Sequence, residues 1–106
     1  KFQGKVGADM DRDTATEAAR LCAINIIAQL KAAVGDLDRI TRIVRLGGFV
    51  NSTPEFGDQP EVINGASNLM FDAFGEAVGA HARAAVSAAS LPRGVAVEID
   101  AIAEFK

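Results

Sequence analysis

The sequence predicts an α+β fold in which two helices lie on one face of a small sheet. Three patterns carry that expectation: an apolar period of 3.6 over residues 15–34, the same period over residues 62–73, and a period of two kept from residue 95 to 105. Two helices cover only one face of such a sheet, and the other is left rich in Val, Ile and Ala. An apolar face of that kind favours a partner, so self-association is expected.

The first helix is expected to start at a capping box, Thr14 with Glu17 three residues on, each side chain satisfying a backbone N–H of the first turn. Ala19, Cys22, Ala23, Ile26, Leu30 and Ala33 then fall on one face, with Glu17, Arg20 and Lys31 opposite. Gly35 follows where a helix ends on a left-handed residue. Residues 40–50 are rich in β-branched side chains and read as a strand that Gly47-Gly48 weakens or bulges. Asn51-Ser52-Thr53-Pro54 supplies turn chemistry, and Asp58-Gln59-Pro60 supplies a cap and an early helical proline. Val62, Ala66, Leu69 and Ala73 give the second helix its stripe, and Gly75 is expected to close it. Residues 83–89 and 95–105 are the remaining strands. The Leu91-Pro92-Arg93-Gly94 turn between them predicts that they pair as a hairpin.

At 106 residues, 49% of them hydrophobic and 24% charged, the chain has the size of one domain, 1–106. Such a core alone gives modest stability, which assembly would raise. The net charge of −3 and scattered Lys and Arg provide no field for a phosphate backbone, and the aromatics are six Phe with no Trp or Tyr, so no nucleic-acid partner is expected. The lone Cys22 forms neither an internal disulfide nor a metal site, which fits a reducing, cytoplasmic setting. The apolar run 21–30 is broken by Asn25 and Gln29 and falls short of a bilayer span, so no membrane partner is expected. The start, Lys1-Phe2-Gln3-Gly4, has neither a signal-peptide pattern nor an initiating Met, and the chain is expected to be incomplete there.

Most acidic residues read as a solvated surface, Asp9, Asp11, Asp13, Asp36 and Asp38 among them, and no spacing suggests a metal or other cofactor. Cys22 lies on the apolar stripe and reads as a structural thiol. His81, in a glycine-rich loop, reads equally as a site-lining or a structural residue. Arg83 opens a strand of small neutral residues with no acid beside it. Its planar fork suits a carboxylate ligand, and a salt bridge to Glu98 on the neighbouring strand is the competing reading.

Residues 83–103, with Arg83-x-x-Val86, Leu91-Pro92 and Val97-Glu98-Ile99-Asp100-Ala101-Ile102-Ala103, resemble the closing segment of the YjgF/RidA family. Phe49-Val50 before a turn and Val62-Ile63-Asn64 at the second helix match as well, so the resemblance runs from about Gly4 to the end. It implies a chorismate-mutase-like sheet on two helices, a homotrimer with sites between subunits, and hydrolysis of enamine or imine intermediates such as 2-aminoacrylate to 2-keto acids and ammonia. Carried over by motif, Arg83 would bind the substrate carboxylate, Glu98 would activate water, Asn64 would support the site, and Ala85 would stand where the family's deaminases place a Cys. A binding protein that holds a 2-keto acid without turnover is the alternative. A ribonuclease, after an older label for parts of the family, would have to act with one His and no basic patch. The loop Gly79-Ala80-His81-Ala82 replaces a Pro-containing one, and nothing corresponds to the family's first strands, which carry a site Tyr and a Ser-Gly segment.

Overall fold

The computed structural model describes residues 2–106. In chain order they form helix α1 (Arg12–Val34), strand β1 (Ile40–Asn51), helix α2 (Gln59–Gly79), strand β2 (Ala82–Ala88) and strand β3 (Val97–Phe105). The α+β architecture is as the hydrophobic periods foretell: both helices pack on one face of a three-stranded sheet. Short 3₁₀ turns, Leu37–Arg39 and Pro92–Gly94, precede β1 and β3.

Helix α1 begins three residues before the proposed capping box. Asp11 is its N-cap, accepting from the Thr14 backbone N–H at 2.8 Å, so Thr14 is inside the first turn rather than at its entrance. An earlier Asp wins because its carboxylate accepts from a first-turn N–H and also meets the positive end of the helix dipole. At the far end Gly35 adopts φ 88° and its N–H bonds to the Lys31 carbonyl, as expected. The buried face is a run of small residues, with Ala15, Ala19 and Ala23 at no exposure. Small side chains bring the helices close: a Cβ on Gly65 of α2 would collide with the backbone carbonyl of Thr16 on α1.

Helix α2 takes its proline in the first turn, but Asp58 makes no side-chain cap bond; its carboxylate lies 3.5 Å from Arg12 instead. Gly75 does not end the helix. It breaks the φ/ψ run (φ 77°, ψ 170°), and another turn carries on to Gly79.

The expected hairpin is absent. The sheet order is β2-β1-β3, with β2 parallel to β1 and β3 antiparallel to it. Two causes place β1 in the middle. Ile43, Leu46 and Val50 make it the strand most deeply committed to the core, and α2 returns the chain so that β2 must run parallel. The segment between β2 and β3 then crosses the end of β1, turned by Arg93 and Gly94 at φ 60° and 68°, and Asn51 N–H bonds to the Ala96 carbonyl. The register irregularities in β1 fall at Ile40/Arg42 and Ile43/Arg45, whereas Gly47 and Gly48 stay paired. Gly48 is there for room, since a Cβ would lie 2.6 Å from Ile63 of α2.

Residues 2–10 run across the same end of the sheet. Val6 is fully buried, and Lys5 Nζ ties the segment to Asn51 Oδ1 and the Ala89 carbonyl at 2.6 Å each.

Candidate functional site

Pro60, Asn64, Ser67 and Phe71 follow one another along α2 at steps of four, three and four residues, so they share one stripe of the helix. The β1–α2–β2 crossover lays that stripe beside the start of β2. Arg83 pairs in register with the buried Leu46 and therefore points to the helix side.

Arg83 Nη1 donates to Asn64 Oδ1 at 2.8 Å and to Ser67 Oγ at 3.1 Å, and Nη2 donates to the Pro60 carbonyl at 3.3 Å. All three acceptors are neutral. Among the described residues no carboxylate lies within ion-pair reach of this guanidinium. Of the five N–H donors an arginine carries, one on Nε and one on Nη2 remain, enough for the two oxygens of a carboxylate.

His81 sits in the short connection between α2 and β2. Its Nδ1 lies 2.6 Å from the Gly79 carbonyl, its Nε2 3.0 Å from Ser67 Oγ, and its ring centroid 5.8 Å from that of Phe71. With Asn64, Ser67, Asn68, Phe71 and Arg83 it walls a pocket of about 220 Å³. Three of the residues singled out by sequence, Asn64, His81 and Arg83, thus meet at one place. Ala85 does not line that pocket; it pairs with Gly48 and packs against the core.

Glu98 stands elsewhere. It is exposed on the edge strand β3, paired with Phe49, whereas Arg83 is paired with Leu46 on the other side of β1. Leu46 and Phe49 are three residues apart, so the two side chains belong to opposite faces of the sheet. The salt bridge between them is therefore excluded within one chain. Glu98 instead helps line a groove of about 630 Å³ beside α1 that also includes Cys22. Burial first, and the Glu98 charge second, push the Cys22 thiol up from its ordinary 9.0.

Ser67 and Phe71 escaped the reading of the sequence. Their signal was helical spacing from Asn64, which places residues three and seven further on over the same edge.

A fold of this layout, with a polar pocket centred on an arginine at one sheet edge, belongs to a recognised class. Residues 1–105 match the family described as "YjgF/chorismate mutase-like, putative endoribonuclease", and the chain is a member of it. Protein TCP17 of Trypanosoma cruzi is 52% identical over 102 residues, which are 96% of this chain and 64% of that protein. The crystal structure of Agrobacterium tumefaciens Atu1372, a protein of unknown function, superposes with TM-score 0.96 at 57% identity, covering 99% of this chain and 67% of that one. A Shewanella oneidensis protein described as a "putative endoribonuclease" superposes with TM-score 0.94 at 38% identity, covering 98% of this chain and 68% of its own. The chain thus spans about two thirds of the length of these relatives.

Proposed function

We infer that this protein is a hydrolase that turns enamine and imine intermediates of the 2-aminoacrylate type into 2-keto acids and ammonia, with Arg83 as the carboxylate anchor. The observation that carries this reading is the Arg83 guanidinium: a full charge held by three neutral oxygens, with two donors left over at a pocket. A substrate carboxylate would complete it.

The chemistry then follows from position. An enamine first takes a proton on its β-carbon and loses one from nitrogen, which makes it the imine. With the carboxylate fixed, water then adds to the imine carbon as the C=N electrons move to nitrogen, and the nitrogen takes a proton. A second proton on nitrogen lets the C–N bond break; ammonia leaves, and the hydroxyl loses its proton to form the keto group. Glu98 is assigned to take the proton from the attacking water and return it to nitrogen. Because Glu98 and Arg83 of one chain occupy opposite faces of the sheet, a site using both needs Glu98 from a second copy. A homotrimer with sites between subunits meets that need, and the exposure of Val86 (46%) and Ile102 (56%) on the uncovered face supports such association.

The test uses 2-aminoacrylate generated in the assay. Glu98→Gln should abolish accelerated ammonia release yet retain 2-keto acid binding. Wild type that binds the keto acid without accelerating release would establish the binding-protein alternative.

A further inference from the structure

A histidine placed between a carbonyl oxygen and a hydroxyl has one way to arrange a single ring proton. The Gly79 carbonyl only accepts, so Nδ1 carries the proton toward it and Nε2 is a bare acceptor. Ser67 must then donate to Nε2 across 3.0 Å, which turns the lone pairs of Oγ toward Arg83 Nη1 at 3.1 Å. Three hydrogen bonds are thereby given one direction, from Arg83 through Ser67 and His81 to the backbone. Ser67 is 5% exposed, so water is a poor substitute for either neighbour, and Phe71 backs the imidazole.

We propose that Ser67 and His81 are positioning residues of the Arg83 site, a relay that holds the guanidinium plane against α2 with its Nε and remaining Nη2 donors facing the ligand. His81 draws the hydroxyl proton away from Arg83. Without that acceptor, the hydroxyl is free to rotate toward a carbonyl one turn back on its own helix, and its lone pairs leave Nη1. The guanidinium then keeps its charge but loses its fixed orientation, on which two-point recognition depends. The proposal rests on the reading of Arg83 as a carboxylate anchor and adds to it the residues that aim it.

The test is a double-mutant cycle in the intact protein, with pyruvate or 2-ketobutyrate titrated by calorimetry. Ser67→Ala and His81→Phe should each weaken binding about tenfold, the size of one hydrogen bond, and the double variant should be no weaker than the worse single one. His81→Gln, whose amide oxygen can accept from Ser67, should recover most of the affinity. Losses that multiply in the double variant would overturn the relay, as would Ser67→Ala binding like wild type while Arg83→Lys is weakened. Wild type that binds neither acid would instead remove the anchor reading itself. A second measurement is independent of ligand. The chain has one histidine, so its ring ¹⁵N resonances are unambiguous. The expected result is a proton on Nδ1 and an Nε2 resonance that moves in Ser67→Ala; a proton found on Nε2 overturns the proposal.

Discussion

The two edges of the sheet are built from different materials. At the β2 edge a cation is gripped by a helix: Asn64, Ser67 and Pro60 each offer an oxygen to Arg83, in a pocket of about 220 Å³. At the β3 edge a groove of about 630 Å³ runs over Cys22, Ile26, Leu30 and Ile99, and the Glu98 carboxylate has no hydrogen bond or ion pair among the described residues. One edge is preorganised within the chain, while the other keeps its acid ungripped. That difference fits the proposed site shared between copies, in which Arg83 is the anchor and Glu98 is offered to a neighbour.

The strand common to both edges is the place to break them together. Leu46 is fully buried and pairs with Arg83 on one side and Ala101 on the other. Leu46→Ala should cost about 2–5 kcal/mol in denaturant unfolding, and keto-acid binding and Cys22 protection should fail at the same midpoint. Separate midpoints would mean that the edges are independent. Arg83→Lys acts on one edge alone. It keeps the charge but not the fork, so binding should weaken by about 10- to 150-fold by calorimetry, at 1.5–3 kcal/mol per charge-assisted bond. Thermal stability and the alkylation rate of Cys22 should not change. A variant that unfolds would make Arg83 structural.

What the sequence disclosed and what it hid divide along the same line between local and distant. Helix α1 ends at Gly35, and β3 keeps its alternation, because those outcomes depend on neighbours in the chain. The pairing of β2 with β1 rather than β3 is set by the helix between them and by the claim of Ile43 and Leu46 on the core, neither of which is written near the Leu91–Gly94 turn. In the same way Arg83 was legible as a charge without a local acid, and Asn64 by motif, but Ser67 acquires its role only when α2 is laid over β2. The assignment of Glu98 to the opposite face required the register.

A smaller effect sharpens the contrast at the β3 edge. Burial and, after it, the Glu98 charge raise the Cys22 thiol above 9.0, so the stability tied to that thiol is present below 9.0 and is lost as pH rises through the folded value. Glu98→Gln removes the lesser cause. Alkylation of Cys22 followed against pH should become faster in mildly alkaline solution, though by less than unfolding the chain makes it, because burial remains. No acceleration would mean that the Glu98 charge is not felt in the groove. Keto-acid binding at Arg83 should be retained in Glu98→Gln in either case.

The smallest expected effect lies away from both edges, at the start of α1, and serves as the control for them. Asp11 accepts from the Thr14 side chain and, less strongly, from its backbone N–H, and these bonds hold its carboxyl below the ordinary 3.8. A lowered folded value means that the charged cap stabilises the helix above 3.8 and that this contribution is lost as pH falls through the folded value. Two variants separate the cap from the charge. Asp11→Asn keeps an oxygen for Thr14 and gives up the interaction with the helix dipole, so the helix should start in the same place and its stability should cease to vary with acid over that range. Asp11→Ala removes both, and the first turn should fray. Hydrogen exchange at Thr14 and Ala15 should show that fraying, since their N–H groups bond to the Asp11 side chain and backbone. Exchange in the rest of α1 should hold, because Ala19 and Ala23 are buried against the core whatever the first turn does. Faster exchange along the whole helix in Asp11→Ala would show that the cap, rather than the alanine face, governs α1, and the two sheet edges would then be expected to loosen with it.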